Sequence, residues 1–145
     1  MNLKVQAIVC TGFFAFYVSG AFADDELYNA MDAGNQGFAA AIMAGDADTA
    51  AAGYTDDAYV FAPNAATVRG REDIRAFWQD LIDSGVSDVS LSTGEVASSG
   101  DLAYVVGTIE MTGADGSTEQ SRYVLVFKRV SGEWRLHLDI FTPSM

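Results

Sequence analysis

From Val86 to Phe141 the sequence runs through four β-prone segments separated by turns too short for anything but an antiparallel return. Val86–Ala97 is rich in Ser and Thr, as suits a strand with one wet face, and Ser98-Ser99-Gly100-Asp101 turns it back. Leu102–Thr112 follows, then the turn Gly113-Ala114-Asp115-Gly116, then Ser121–Val130, the turn Ser131-Gly132, and Trp134–Phe141. Parallel neighbours would need crossovers of a dozen or more residues, and none fits between these runs. The second half of the chain is therefore an antiparallel meander.

The first half reads as helices that could cover it. Asp24 to Asp46 opens with Asp24-Asp25-Glu26 near the positive dipole end, and Leu27, Met31, Phe38 and Ile42 recur at helical spacing, with Gly34 or Asn35 completing the stripe. Gly45 ends that helix, and Asp46 is placed to cap a short second helix over Ala47–Gly53. Tyr59-Val60-Phe61 is a short strand, Pro63-Asn64 breaks it, and Ala66-Thr67-Val68 is a second extended piece. From Gly70 the period changes again. Ile74, Phe77, Trp78, Leu81 and Ile82 fall on one helical face, after Glu72 and Asp73 in the first turn. Helices before a meander predict an α+β domain with the helices gathered on one face of the sheet. Nothing repeats internally, and no low-complexity linker divides the chain.

Residues 1–23 are set apart from that domain. Lys4, an apolar run over residues 5–18 and Ala21-Phe22-Ala23 read as a signal peptide with its cleavage site, so residues 24–145 form the single domain and the protein is expected in the periplasm or outside the cell. The one cysteine, Cys10, lies in the leader, so neither a disulfide framework nor thiol chemistry is expected in the mature chain. Cleavage leaves 122 residues with a formal charge of −13, which argues against nucleic acid and against anionic membrane surfaces.

Several segments, taken in order, resemble the SnoaL-like, ketosteroid-isomerase-like branch of the nuclear-transport-factor-two-like superfamily. They are Ala44-Gly45-Asp46, Tyr54-x-Asp56-Asp57-Ala58, a proline after the strand, Arg69-Gly70, Ile74-x-x-Phe77-Trp78, Gly100-Asp101-Leu102-Ala103-Tyr104 and Gly132-Glu133-Trp134-Arg135-Leu136. The resemblance implies a cone-shaped, curved, mainly antiparallel sheet around a pocket closed by the N-terminal helices, with the other sheet face often forming a homodimer. It implies a fold more firmly than an activity, because the superfamily holds enzymes, binding modules and assembly domains.

Most site chemistries are absent from the sequence. His137 is the sole histidine, so a structural zinc site is implausible, and no metal or cofactor is expected. Asp56-Asp57 reads as loop solvation and turn hydrogen bonding. Strict alternation along the last strand sets Trp134, Leu136, Leu138 and Ile140 on a core face, and Arg135, His137, Asp139 and Phe141 on the other. If that second side lines a cavity, Asp139 could act as general base and His137 could orient a substrate. If it faces outward, the pair carries no chemistry. Asp139 falls near an acidic position that the resemblance places on the terminal strand, and Tyr104 is a candidate hydroxyl donor or else an ordinary sheet aromatic. Arg122, if inward, would suit a carboxylate-bearing ligand, and a salt bridge is the simpler account. Asn35, Phe38, Phe61, Trp78 and Tyr123 complete the expected pocket lining.

Three functions follow as expectations: an exported protein that binds a small apolar or carboxylate-bearing molecule, a cofactor-free isomerase, lyase or cyclase with Asp139 as base, and a non-catalytic dimerisation or partner-binding domain.

Overall fold

The structure, a computed structural model, describes residues 21–144, with side chains described from Asp24 to Ser144. The expected leader lies outside the described residues up to position 20. In chain order the elements are α1 (Ala21–Met43), α2 (Ala47–Ala52), β1 (Tyr54–Phe61), β2 (Val68–Arg69), α3 (Arg71–Asp83), β3 (Asp88–Ser99), β4 (Leu102–Thr112), β5 (Thr118–Val130) and β6 (Glu133–Pro143). Among the described residues no helix is long and apolar enough to cross a membrane.

One six-stranded sheet runs in the order β2-β1-β6-β5-β4-β3, antiparallel except where β1 lies parallel to β6. The meander is the expected one, with Gly100, Gly116 and Gly132 supplying positive φ at its three turns. Asp46 caps α2 by accepting the backbone N–H of Thr49 at 2.9 Å. The helices cover one face of the curved sheet, as expected of this α+β class.

Registers across the sheet define its two faces. The covered face carries the row Thr93–Gly107–Tyr123–Phe141, the row Val96–Val105–Leu125–Asp139–Val60, and the row Ser98–Ala103–Phe127–Leu136–Tyr54. The opposite face carries Tyr104–Val126–Leu138–Tyr59 and Val106–Val124–Ile140–Phe61. α1 packs chiefly on β3, and α3 packs against α2, β1 and β2. The core between the layers includes Met31, Ile42, Tyr54, Ile74, Trp78, Val105 and Leu125.

Two sequence expectations are corrected here. Asp56 and Asp57 lie within β1 rather than a loop, because β1 already pairs with β6 at Tyr54 and is irregular between Tyr54 and Tyr59. Along β6 the alternation breaks at His137, where Val126 pairs with Leu138 but Phe127 pairs with Leu136. That bulge adds one residue and inverts the faces beyond it. Trp134 and Leu136 therefore share the covered face with Asp139 and Phe141, while Leu138 and Ile140 turn outward.

Candidate functional site

Between the helices and the covered sheet face lies a cavity of about 610 Å³, lined by residues of α1, α2, β1, α3 and β3–β6. Its walls are mostly apolar: Met31 and Phe38 from α1, Trp78 from α3, and Leu91, Ile109, Leu125, Phe127, Leu136 and Phe141 from the sheet. Trp78 is held edge-on by Phe38 (centroids 4.9 Å apart) and Phe77 (4.8 Å), and it stacks on Phe141 at 6.4 Å. Both tryptophans of the sequence, Trp78 and Trp134, line this space.

Two polar stations interrupt the apolar wall. In the first, the Tyr54 hydroxyl donates to Asp139 Oδ2 at 2.6 Å, with Tyr54 and Asp139 both buried. Val105, Leu125 and Val60 occupy the same sheet row as Asp139, so its carboxylate loses water without gaining a counter-charge. Burial raises the Asp139 carboxyl from 3.8 to about 6, and the Tyr54 hydrogen bond opposes part of that rise. Burial first, then the neighbouring Asp139 charge, push the Tyr54 phenol well above its ordinary value. Trp78 Nε1 is buried with no hydrogen-bond partner among the described residues, although the indole lies close enough to Tyr54 to oppose that rise slightly.

The second station joins α1 to the sheet. Asn35 Nδ2 donates to Thr93 Oγ1 at 2.9 Å and to the Tyr123 hydroxyl at 3.0 Å, and that hydroxyl donates to the Ser92 carbonyl at 3.1 Å. Tyr123 reaches so far because its ring lies over Gly107, its partner in the β4–β5 register. A Cβ on Gly107 would come within 2.3 Å of both the Tyr123 hydroxyl oxygen and the Ser92 carbonyl. Burial of Tyr123 is the main cause of its raised phenol pKa.

The structure brings Asn35, Phe38, Trp78, Tyr123 and Asp139 together around one cavity, and it places the other expected site residues elsewhere. Tyr104 stands on the outer sheet face and hydrogen-bonds to Glu95, so it cannot donate into the cavity. Phe61 is also outside, stacked on Tyr59 at 5.9 Å. Arg122, between inward Ser121 and Tyr123, is turned outward by strand alternation and makes no salt bridge among the described residues. Arg122 is therefore not an inward cation for a carboxylate ligand.

His137 occupies the bulge and does not share Asp139's side. Its Nδ1 lies 2.9 Å from Thr55 Oγ1 and 3.6 Å from Asp57, and its ring meets Tyr59 edge-on. Burial, with a smaller push from Lys128, lowers its pKa despite Asp57, so the imidazole is neutral at pH 7 and the Asp57 approach is not an ion pair there. His137 instead links the irregular stretch of β1 to the bulge of β6. Tyr54, the partner of Asp139, carried no site role in the sequence reading. Its position at the head of a polar run, Thr55-Asp56-Asp57, concealed that it begins a strand.

Among the described residues no cluster of His, Cys, Asp and Glu is suited to hold a metal. Among the described residues no Lys, Arg or His lines the cavity, and the carboxyls that do are Asp139 and, at the rim, Glu133.

Comparison with known proteins agrees with this architecture. Residues 35–137 match the family model of the SnoaL-like domain, a span that ends just before Asp139. A ketosteroid isomerase-like protein from Erwinia carotovora atroseptica is 19% identical with a TM-score of 0.71, covering 83% of this chain and 98% of its own. A nuclear-transport-factor-two-like protein with a cystatin-like fold from Novosphingobium aromaticivorans is also 19% identical with a TM-score of 0.71, over 85% of this chain and 83% of its own. A nuclear-transport-factor-two-like protein of unknown function from Pseudomonas putida is 18% identical with a TM-score of 0.67, over 84% and 87%. At such identities the likeness is one of fold. No curated protein matches the chain in sequence.

Proposed function

The chain belongs to the SnoaL-like domain family, and from that premise we propose that it is an exported protein that holds one small, uncharged, mainly apolar molecule in the cavity beneath α1. The observation that carries this reading is the cavity itself: about 610 Å³ of space walled by apolar side chains, with Asp139 and Asn35 buried among them. A few convergent polar groups in an apolar cleft are what a small-molecule site offers. A carboxylate-bearing ligand is disfavoured, since no lining cation would receive it and Asp139 would repel it.

Proton transfer at an activated carbon is the second reading, favoured by one observation. A buried carboxyl raised to about 6 is ionised at pH 7 yet basic enough to take a proton from carbon beside a carbonyl. Tyr54 then holds the base, because its hydroxyl is committed to Asp139 rather than to a substrate oxygen.

Native mass spectrometry of the protein purified from its own exported fraction tests binding, with a denatured sample as control. A retained molecule lost on denaturation supports the reading, and it must perturb the fluorescence of Trp78 and Trp134 when added back. Asp139→Asn separates the two readings: binding persists in both, while any turnover disappears only if Asp139 is the base. A protein that retains nothing, and whose fluorescence no member of a broad metabolite panel changes, leaves the partner-binding alternative.

A further inference from the structure

α1 turns two rows of residues toward the cavity. Met31, Asn35 and Phe38 form the deep row, and Ala30, Gly34 and Gly37 form a shallower row that is exposed. Glycine inside a helix is less favourable than alanine and commonly marks a close approach of another backbone or of a ligand. Among the described residues no such approach of a backbone exists: a Cβ on Gly34 or on Gly37 would meet none of their atoms within 4 Å.

The other flank of α1 is tied to β3, through Asn35 to Thr93 and through Gln36 to the Leu91 carbonyl at 3.3 Å. The glycine row is thus on the untied flank. Thr49, Gly53, Gly132 and Glu133, also exposed, complete the rim. Glu133 is the charged side chain of that rim, held by Arg135 at 2.7 Å, while Arg135 also donates to the Ala52 carbonyl at 2.8 Å. Deeper in the same cavity, Trp78 is 3% exposed and its Nε1 lacks a hydrogen-bond partner among the described residues. A buried donor left this way is destabilising, and an acceptor oxygen on an occupant would relieve it.

We propose that the gap between α1 and the β5–β6 turn is the entrance of the cavity, and that Gly34 and Gly37 set the girth of what enters, admitting flat, uncharged molecules and turning anions away. The inference rests on the ligand-binding reading above. Glycine backbone borders the gap on both sides, which leaves room for a planar face. Glu133 at the rim is already paired with Arg135, so the uncompensated charge that an entrant meets is the Asp139 carboxylate inside. That carboxylate has no lining cation beside it among the described residues and selects against negative charge.

A matched pair of probes tests it: N-phenyl-1-naphthylamine, which is neutral, and 8-anilinonaphthalene-1-sulfonate, the same frame bearing a sulfonate. Energy transfer from Trp78 and Trp134 reports the bound probe, and a stoichiometry of one per chain that survives Val106→Lys with Val124→Lys assigns it to the cavity rather than to the outer sheet face. The parent protein should take up the neutral probe at least about tenfold more tightly than the sulfonate. Gly34→Ala and Gly37→Ala should raise the urea midpoint, since each adds helix propensity in open space, yet slow probe association and dissociation severalfold. Gly34→Leu should weaken uptake by about tenfold or more. Alanine variants that bind at parental rates, or that are less stable than the parent, overturn the entrance while leaving ligand binding intact. Equal uptake of both probes overturns the charge selection. A parent that takes up neither probe and retains nothing in native mass spectrometry removes the binding reading itself.

Discussion

Tyr54 and Asp139 are 85 positions apart in the chain, and their side chains meet at 2.6 Å inside the fold. The contact depends on a mismatch between two parallel strands. Tyr54 pairs with Leu136 and Tyr59 with Leu138, so four residues of β1 are set against His137 alone. Surplus chain in β1 and the bulge in β6 together turn Asp139 inward, where Tyr54 reaches it. The result is a buried carboxylate held by one phenol and surrounded by aliphatic neighbours, a costly arrangement that packing alone does not require.

The first prediction concerns that cost. Asp139 has its carboxyl raised from 3.8 to about 6, mainly by burial. At low pH the group is protonated in folded and unfolded chains alike, and it imposes no charge penalty. As pH rises through the window from 3.8 to about 6, the unfolded chain ionises first, so stability falls, and above that window the loss is complete. A shift of this size corresponds to about 3 kcal/mol. Asp139→Asn keeps an acceptor for Tyr54 and discards the charge. It should therefore exceed the parent in stability by about 1–3 kcal/mol at neutral pH and show no such advantage in acid. Urea unfolding at both pH values measures this, and equal stabilities at neutral pH would contradict it.

The second prediction separates the phenol from the burial. The Tyr54 hydrogen bond lowers the Asp139 pKa while desolvation raises it. Tyr54→Phe removes only the lowering influence, so the Asp139 titration midpoint should move upward from about 6. Carbon-13 NMR of the Asp139 carboxyl follows the midpoint directly. A midpoint that stays put or falls would show that the hydrogen bond does not control this carboxylate.

What the sequence disclosed divides along physical lines. Local signals were sufficient for the meander, because each turn carries its own glycine, and for α3, because Ile74 and Trp78 recur at helical spacing and are buried. The same spacing placed Asn35 and Phe38 on the inner side of α1. Along a strand, alternation groups residues but does not say which group faces inward. For Tyr104, Phe61 and Arg122 that choice is made by registers with other strands, set tens of residues away. For His137 even the grouping failed, because a bulge has no signature in the alternation that it breaks. Tyr54 was hidden for a related reason: its acidic successors look like a loop, yet they are the surplus chain that allows β1 to hold its place beside β6.

The third prediction uses Gly107. Alanine there would drive its Cβ to within 2.3 Å of Tyr123 and of the Ser92 backbone. Gly107→Ala should cost about 1–3 kcal/mol and unseat the Tyr123 hydroxyl from Asn35. The added chain rigidity that normally accompanies Gly→Ala should not compensate. Denaturant unfolding, with the Asn35 side-chain amide followed by NMR, checks both consequences. An unperturbed amide signal would mean that Tyr123 does not depend on the missing Cβ.

The fourth prediction concerns export. Cleavage after Ala23 would remove three residues from α1 as described and start the chain with Asp24-Asp25-Glu26. Those acids would then occupy the new first turn, where the helix dipole favours them. Intact mass of protein from the native exported fraction should correspond to residues 24–145, and its thermal midpoint should match that of a longer chain starting a few residues earlier. A mature chain that retains Lys4 would contradict the leader assignment.

The last prediction concerns the bare face of the sheet. Tyr104–Val126–Leu138–Tyr59 and Val106–Val124–Ile140–Phe61 run side by side across four strands, and Tyr104, Val106, Val124 and Phe61 are exposed. Contiguous apolar rows of this kind are unusual on a monomer and commonly mark an interface. Arg122 sits beside them, next to Val124 in the third row with Thr108 and Thr142, where it can border a contact without being buried in it. We therefore expect a homodimer through this face, with the cavities on the far sides and independent of one another. Val106→Lys with Val124→Lys places two like charges at the centre of the rows and should give a folded monomer. That monomer should still take up the neutral naphthylamine probe, because the substituted side chains point away from the cavity. Sedimentation equilibrium distinguishes the outcomes. A parent that is monomeric at high micromolar concentration, or a charged variant that remains dimeric, would move the interface elsewhere.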